Sequence, residues 1–374
     1  MGNSLMGRDA SCNSAGAPIH TFYSSNAWIE GRAEEQLTQT ANLEGVQKIA
    51  AFPDLHPGKY GPVGCAVLGS KLYPALVGND IGCGMALFEL DLSPRRIKLH
   101  KTEKQLRKIG DPDDTDYAER LEAEGLPFDM WPNALGTIGG GNHFCELQLC
   151  RDAADNTLDT NHAFLLVHSG SRGLGNAIVM KYLASGVEGI NGDDAEAYLK
   201  KHDEAVIWAK LNRRVIAERA ASALRADVQL IVDNVHNLIT REFGGFLHRK
   251  GAAIAGGMVP LAGSRSTESY LIDTSLCPEN TLASCAHGSG RKFDRRSMHG
   301  RVSSKKSSIE ALNKNAFGGR VICEDKSLLI EEAPSAYKSS ASVLADLEMN
   351  GIATRKATLE PLITFKKVRE EWRK

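Results

Sequence analysis

Several features are missing from this 374-residue sequence, and each absence excludes a class of protein. No stretch approaches the roughly 20 uninterrupted apolar residues that a membrane-spanning helix needs. The first twelve residues lack the apolar segment of a secretion signal, so we expect a cytoplasmic protein that does not bind membranes. Neither charge dominates, since 45 Lys and Arg residues balance 46 Asp and Glu residues to a net charge of −1. Any binding to a polyanion must therefore use a local basic surface.

Paired cysteines and the common phosphate-binding loops are also absent. The eight cysteines show no CxxC spacing, which together with the missing secretion signal indicates free thiols in a reducing compartment. A Walker A loop, a Rossmann fingerprint and a nucleophile elbow are all lacking, and Gly139-Gly-Gly141 is not followed by the Lys-Ser/Thr of a P-loop. If a nucleotide binds, its phosphates must be held by metal ions, backbone amides and Arg or Lys side chains.

Strand-like and helical patterns are interspersed along the chain, which predicts a mixed α/β (α+β) fold with one domain over residues 21–374. Residues 1–20 are polar and rich in Gly and Ser, so we expect a loose N-terminal arm there. Met85–Asp91 and Ala163–His168 are typical of strands, the first half-buried and the second fully buried. The pattern turns helical at about residues 194–226.

The predicted long helix has one face of small and aliphatic residues, namely Ala205, Ala209, Ile216, Ala220 and Leu224. Residues 111–133 contain three prolines and a run of aspartates, and are predicted to form an exposed connection. Residues 297–315 are rich in Ser, Lys and Arg, which favours a surface position.

Five Gly-rich segments each follow a strand-like run and carry a coordinating or nucleophilic side chain. They are FPDLHPG at residues 52–58, GNDIGCGM at 78–85, GTIGGGNHF at 136–144, HSGSRG at 168–173 and HGSGR at 287–291. Glycine lets the backbone approach a ligand closely, so such turns often present side chains at the ends of strands. Five of them, all with Asp, Cys or His, predict an active site on Gly-rich loops at strand ends.

Candidate metal ligands occur in three of these segments and in one further position. Asp80 and Cys83 stand three residues apart across Gly82, a spacing that lets a carboxylate and a thiolate reach one cation. His143, His168 and His236 each adjoin a small or amide residue. Each residue alone also fits a structural role, as a capping Asp, a buried Cys or a hydrogen-bonded core His.

As a group, the five residues indicate metal binding. One carboxylate, one thiolate and three imidazoles are too many ligands for one tetrahedral site, and two metals that share a bridging thiolate fit better. Thiolate and imidazole suit zinc, and the residues alone leave zinc and manganese both open.

The motifs, taken in their order along the chain, resemble those of the RtcB family of RNA ligases. The resemblance runs from about residue 50 to residue 366 and includes, in chain order, FPDLHPG, DIGCGM, GTIGGGNHFCE, HSGSRGLG, NVHN, GSRSTESY, HGSGR and a terminal Pro-x4-Lys that ends at Lys366. It implies an enzyme that uses GTP and two Mn²⁺ ions to join an RNA 3′-phosphate or 2′,3′-cyclic phosphate end to an RNA 5′-hydroxyl end.

The family resemblance also implies roles for individual residues. His287 would be the catalytic nucleophile that forms a histidine–GMP intermediate. Asp80, Cys83 and His143 would hold one metal ion, and Cys83, His168 and His236 the second. The residues expected to contact the nucleotide are Asn142, Glu146, Asn237, Ser264, Ser269, Gly288, Gly290 and Lys366. An archease-like activating protein would be a partner, and broken tRNA or rRNA would be substrates.

A basic stretch directly follows the predicted nucleophile. Arg291, Arg295 and Arg296 are predicted to hold RNA phosphates, although basic runs are often only solvated surfaces. The sequence also departs from the family, since Arg265 and Ser266 replace a Met and a Gly, and the chain is shorter than many members. These departures predict a divergent paralogue with a specialised repair target.

Two other functions fit part of the pattern. A metal-dependent RNA phosphatase or end-processing phosphodiesterase would keep the five metal ligands, and a non-catalytic RNA-binding protein would need neither metals nor a nucleophile. His287 distinguishes these hypotheses best, because neither alternative needs a nucleophile within a nucleotide pocket.

Overall fold

The computed structural model describes residues 16–110, 115–183, 189–303 and 305–367. The strands in these ranges are β1 (Ile19–Thr21), β2 (Val46–His56), β3 (Val63–Gly69), β4 (Gly84–Leu90), β5 (Phe144–Ala153), β6 (Ala163–Ser169), β7 (Val228–Val235), β8 (Asn237–Glu242), β9 (Gly245–Lys250), β10 (Ala252–Ile254), β11 (Met258–Leu261), β12 (Ser269–Asp273), β13 (Ser284–Ala286), β14 (Arg320–Cys323) and β15 (Thr354–Lys367). The helices are α1 (Gly31–Ala41), α2 (Leu99–Leu106), α3 (Ala118–Ala123), α4 (Gly173–Leu183), α5 (Gly192–Leu224), α6 (Arg295–Arg301), α7 (Lys306–Ala311), α8 (Lys326–Glu331) and α9 (Ser340–Met349).

Three sheets organise these elements, and the prediction of a mixed α/β fold is confirmed. The largest has the order β11-β12-β15-β5-β6-β4-β7, with β14 parallel to β15 at the side. A second sheet has the order β1-β2-β3-β9-β8, and β10 pairs with β13. Nearly all neighbouring strands are antiparallel, so the connections between them lie at both ends of the strands.

The long helix α5 covers one face of the largest sheet. Its residues Ile216, Ala217 and Ala220 pack with Ala86 and Phe88 of β4. All five residues of the predicted apolar face are buried, so that prediction is confirmed. Two aspartates in the first turn suit the positive end of the helix dipole.

Strand β4 is buried on both faces, and the prediction of a half-buried strand there was wrong. Met85 and Leu87 point away from α5 and join a second apolar cluster with Phe144 and Phe164. Alternate residues of a strand face opposite sides, so covering both sides of the sheet buries nearly the whole strand. The fully buried strand predicted at residues 163–168 is confirmed as β6.

Two other expectations need correction. Ile19 and His20, assigned to the loose arm, belong to β1 and pair in parallel with β2, because their backbone groups complete the edge of that sheet. The rest of the arm, up to residue 15, lies outside the described residues. The segment 115–133 is not merely exposed, because it contains α3 and packs Leu121 and Leu126 against α5. Residues 111–114 lie outside the described ranges.

Two observations bear on membrane and disulfide expectations. Across the ranges that the structure describes, no helix combines the length and apolar character needed to cross a bilayer. All seven cysteines in those ranges are free thiols, six of them buried. Cys12 lies outside them.

Candidate functional site

One edge of the largest sheet gathers the five predicted metal ligands. Asp80 and Cys83 lie in the turn before β4, His143 immediately precedes β5, His168 is near the end of β6, and His236 follows β7. In the sheet, β4 lies between β6 and β7 while β5 pairs with β6. The start of β4 therefore faces the ends of β6 and β7, and four segments distant in sequence meet at one point.

The donor atoms of these residues form a compact cluster. The Cys83 Sγ lies 3.3 Å from His143 Nε2 and 3.1 Å from His168 Nε2. Beyond them, Asp80 Oδ2 is 2.8 Å from His143 Nε2, and the Nε2 atoms of His168 and His236 are 3.3 Å apart. Cys83, His143 and His168 form a group whose ligand atoms all lie within 4.8 Å of one another. Cys83 occupies the centre of the cluster.

The chemistry of this donor set fits metal ions. Burial lowers the pKa of His168 and of His236 well below the usual range, which keeps both imidazoles neutral with a lone pair for coordination. Burial first, and the Asp80 carboxylate second, raise the pKa of the Cys83 thiol. A bound cation has the opposite effect and stabilises the thiolate. The cluster is therefore a candidate metal-binding site.

Contacts with α5 hold in place the turns that contain the candidate metal ligands. Gly82 has a φ of 74° and packs so closely on α5 that a Cβ would lie 2.8 Å from the Cβ of Ala209. Arg213 of α5 is fully buried and donates to the carbonyl oxygens of Gly82 and Ser169, at 2.8 and 2.7 Å. Its charge is balanced by Asp233 at 2.7 Å. One buried guanidinium thus holds the ends of two strands together.

His287 follows β13 and faces the same cluster. Its ring centroid is 4.2 Å from that of His236 and 6.4 Å from that of His168. The His287 Nδ1 lies 2.7 Å from the Gly251 carbonyl oxygen and 2.8 Å from Asp54 Oδ2. Because both neighbours are acceptors, Nδ1 is the donor in these contacts, and Nε2 is the ring nitrogen that does not take part in them.

A pocket opens beside His287 and contains most of the predicted nucleotide contacts. Of the predicted set, its walls include Asn142, Glu146, Ser264, Gly288, Gly290 and Lys366. His168 and His287 also line the pocket, so the metal cluster, the nucleophile candidate and the pocket share one space.

Comparison with known proteins shows similarity over nearly the whole described chain. The family profile described as tRNA-splicing ligase RtcB matches residues 36–111 and 114–367. The chain belongs to the RtcB family. Among its relatives, the RNA-splicing ligase RtcB2 of Escherichia coli is 41% identical over 93% of this chain and 95% of the relative. The RNA-splicing ligase RtcB of Escherichia coli strain K12 is 31% identical, over 88% and 93% respectively. The tRNA-splicing ligase RtcB of Methanococcus maripaludis is 25% identical, over 88% and 90%.

Two predicted nucleotide contacts do not line the pocket of this RtcB-family protein. Asn237 instead donates from Nδ2 to the Asp80 carbonyl oxygen at 3.2 Å and accepts from the Gly251 backbone N–H at 2.8 Å. It therefore joins the turn with the metal ligands to the backbone that orients His287. Ser269 is 2% exposed, and its hydroxyl accepts from the Gly263 N–H at 3.0 Å. Both residues hold neighbouring loops of the site in place through hydrogen bonds to backbone groups.

Charged groups are buried deep in the pocket. Burial raises the pKa of Glu146 to about 7, despite hydrogen bonds from Thr364 and Gln148 that favour the carboxylate. Burial disfavours the charged form of Lys366 as well and so lowers its pKa, and the Lys366 Nζ lies 3.9 Å from Glu332 Oε2. Glu146 and Lys366, an acceptor and a donor buried in the lining of one pocket, suit the polar edge of a nucleobase.

The basic residues after His287 divide into two groups. Arg291 and Arg295 line the pocket and pair with Glu332 at 3.1 and 3.3 Å. Arg296 is exposed at the start of α6 and does not line the pocket. The Glu332 side chain, 1% exposed, thus balances both arginines and Lys366.

Arg265 connects the pocket wall to α8. Its guanidinium donates to the carbonyl oxygens of Glu332 and Leu329, at 2.9 and 3.1 Å. The last carbonyls of a helix lack partners within the helix, and a cation there is favourable. Arg265 therefore fixes the loop of Ser264 in place by capping a helix.

Sequence reasoning gave no role to several residues of the site. Asp54 and Arg172 lie in the motifs FPDLHPG and HSGSRG, so their position in a motif could have identified them. The Arg172 side chain packs directly against Gly139, where a Cβ would lie 1.6 Å from the Arg172 guanidinium. Glu332 and Lys338 lie outside every motif, and Lys338 donates to the carbonyl oxygens of Pro53 and Leu55 on either side of Asp54.

Proposed function

We propose that this protein is an RNA ligase of RNA repair, which joins RNA ends that carry a 3′-phosphate or 2′,3′-cyclic phosphate to 5′-hydroxyl ends and uses GTP as co-substrate. Family membership supports RNA ligation, because the relatives named above are RNA- or tRNA-splicing ligases. The observation that carries the proposal is the geometry of His287, held at Nδ1 by Asp54 and by the Gly251 carbonyl oxygen, beside a pocket and a candidate metal cluster.

The first step forms the nucleotidylated enzyme. The Nε2 lone pair of His287 attacks the α-phosphorus of GTP, a P–N bond forms, and the bond to the β-phosphate oxygen breaks to release pyrophosphate. The imidazole gains positive charge as the bond forms. Asp54 is fully buried and 2.8 Å from Nδ1, so its negative charge stabilises the developing cation.

Two further steps complete ligation. An oxygen of the RNA 3′-phosphate attacks the phosphorus of GMP, and the P–N bond to His287 breaks. The RNA 5′-hydroxyl then attacks the activated 3′-phosphate in line and gives up its proton to solvent, and GMP leaves with the bonding electrons. A 2′,3′-cyclic end must first be opened by water, because it lacks the free terminal phosphate needed for this activation.

The candidate metal cluster would hold two Mn²⁺ ions. Asp80, Cys83 and His143 would bind one, and Cys83, His168 and His236 the other, with the central thiolate shared. When bound, such ions neutralise phosphate charge and position the reacting groups.

The pocket residues would bind the guanosine nucleotide. Glu146 and Lys366 would read the guanine edge with one acceptor and one donor, and Asn142, Ser264, Gly288 and Gly290 would contact the remainder. Asn237 and Ser269 would act by holding the loops around it. Arg291, Arg295 and Arg296 would hold RNA phosphates, and an archease-like protein would activate the enzyme in the cytoplasm.

The competing hypothesis is a metal-dependent RNA phosphatase or phosphodiesterase on the same scaffold. Such a hydrolase uses water activated by its metal ions and needs no nucleophile within a nucleotide pocket, so the position of His287 in the pocket wall favours the ligase.

An end-joining assay tests the proposal. Two labelled RNA strands, one with a 3′-phosphate and one with a 5′-hydroxyl, are incubated with protein, GTP and Mn²⁺. A joined product that requires GTP supports the ligase. Release of inorganic phosphate without joining, at equal rates with and without GTP, would establish the hydrolase instead.

A further inference from the structure

A group of aromatic and cationic side chains beside the pocket has no part in the proposed chemistry. Trp28 and Phe293 pack edge to face with ring centroids 5.9 Å apart. The Lys292 Nζ lies 5.9 Å from the Trp28 ring centroid and 5.6 Å from that of Phe293. The Arg301 guanidinium lies 3.6 Å above the Phe293 ring. These four residues are called the aromatic platform below.

The aromatic platform is anchored to the pocket wall and continuous with it. The backbone N–H groups of Lys292 and Phe293 both donate to the Ala336 carbonyl oxygen, at 2.7 and 3.3 Å. Arg291, which lines the pocket, donates from Nε to the Phe293 carbonyl oxygen at 3.0 Å. The aromatic platform therefore adjoins Arg291 of the pocket wall.

Exposure and charge identify the kind of ligand that fits. Trp28 is 39% exposed, and its ring lies beside the Lys292 ammonium group. The carboxylate that follows Phe293 in the chain, Asp294, is engaged in capping α6 through the Ser297 N–H at 3.1 Å. Aromatic rings interleaved with Lys and Arg bind single-stranded nucleic acid, because bases stack on the rings and phosphates pair with the cations.

We propose that the aromatic platform binds an unpaired base, and the phosphate next to it, of the RNA strand whose end enters the pocket. This inference rests on the proposed function, since it takes RNA as the substrate. Trp28 supplies the stacking face, Phe293 supports it from the edge, and Lys292 and Arg301 hold the phosphate. The enzyme then binds best to ends with an unpaired overhang.

An abasic scan tests this pairing of one side chain with one base. A series of 3′-phosphate RNAs, each lacking one base, is measured for binding to the wild-type protein and to the Trp28→Ala variant. We expect one abasic position to weaken wild-type binding roughly tenfold, as loss of one stacked base does. The same RNA should bind Trp28→Ala no more weakly than the intact RNA, because the stacking partner is already gone.

Phe243→Ala is the matched control, because Phe243 is an exposed aromatic residue at the far turn of the β8–β9 hairpin, 55% exposed. It should retain the wild-type abasic profile. Lys292→Gln tests the phosphate contact and should lower the slope of log affinity against log salt by about 0.7. If Trp28→Ala keeps the full wild-type profile and Lys292→Gln keeps the salt slope, the surface does not bind RNA and serves another partner or only folding.

The outcome is separable from that of the proposed function. Binding is measured without GTP, so the abasic profile does not depend on histidine guanylylation. Platform-dependent binding by a protein that never joins RNA ends would refute the ligase and leave the aromatic platform standing. Efficient joining of RNA ends, together with an abasic profile that Trp28→Ala leaves unchanged, would refute the aromatic platform and leave the ligase standing.

Discussion

Replacing Asp54 with Asn should slow formation of the histidine–GMP intermediate while leaving the fold intact. The amide is nearly isosteric with the carboxylate and can still accept from His287 Nδ1, but it lacks the negative charge that faces the developing imidazolium. The Asp54 carboxylate is 0% exposed, and its Oδ2 lies 2.8 Å from His287 Nδ1 and 3.2 Å from the His287 backbone nitrogen. The effect of the substitution is therefore electrostatic.

The magnitude follows from Coulomb's law. Two unit charges about 4 Å apart attract by about 4 kcal/mol at an effective dielectric constant of about 20. The imidazole carries only part of its charge in the transition state, so the loss in Asp54→Asn is about 2–4 kcal/mol. Each 1.4 kcal/mol is a tenfold change, which gives a rate roughly 30- to 1,000-fold lower.

The assay is single-turnover labelling with GTP and Mn²⁺, followed by intact mass at timed intervals. Glu242→Gln is the matched control, because Glu242 is a carboxylate paired with the buried Arg249 at 3.0 Å in a different part of the fold. Thermal unfolding of both variants checks that each is folded. Labelling of Asp54→Asn at the wild-type rate would refute the role given to the carboxylate.

Three further predictions concern the metals, the nucleotide and the RNA. Cys83→Ala should lower bound Mn²⁺ at both positions, whereas His143→Ala should mainly weaken one; elemental analysis of gel-filtered protein decides, and two full equivalents in Cys83→Ala would contradict the shared thiolate. Glu146 is protonated below its pKa of about 7 and becomes a carboxylate, a better hydrogen-bond acceptor, above it. GTP affinity should therefore rise between about pH 6 and pH 8, and Glu146→Gln should flatten this pH dependence. Neutralising Arg295 and Arg296 should weaken RNA binding and lower its salt slope by about 0.7–0.9 per lost phosphate contact, and an unchanged slope would make the stretch a solvated surface.

The metal cluster was the most predictable part of the site. Asp80, Cys83, His143, His168 and His236 are reactive residue types in Gly-rich turns or next to amide residues, and the structure brings all five to one sheet edge. Spacing could not reveal that β4 lies between β6 and β7, because strand order depends on long-range packing. The order of the motifs along the chain indicated the family, which no single local pattern could do, and the expected family is confirmed.

The support behind the site was hidden from sequence reasoning. Glu332 and Lys338 matter through contacts with residues far away in the chain, such as the 2.9 Å bond from Lys338 Nζ to the Pro53 carbonyl oxygen. The family resemblance assigned Asn237 to the nucleotide, whereas in the structure its amide bonds to backbone groups on two loops. The residues 115–133 were misjudged because their prolines and aspartates outweighed the apolar Leu121 and Leu126, which tertiary packing buries.

Intact mass after incubation with GTP and Mn²⁺ tests the central claim most directly. The wild-type protein should gain the mass of one GMP, and His287→Ala should gain none. His299→Ala is the matched control, because His299 is an exposed histidine in α6 that pairs with Glu331 at 3.2 Å. It should label like the wild type. Equal labelling of His287→Ala, or no labelling of folded, metal-loaded wild-type protein, would contradict the assignment of His287 as the nucleophile.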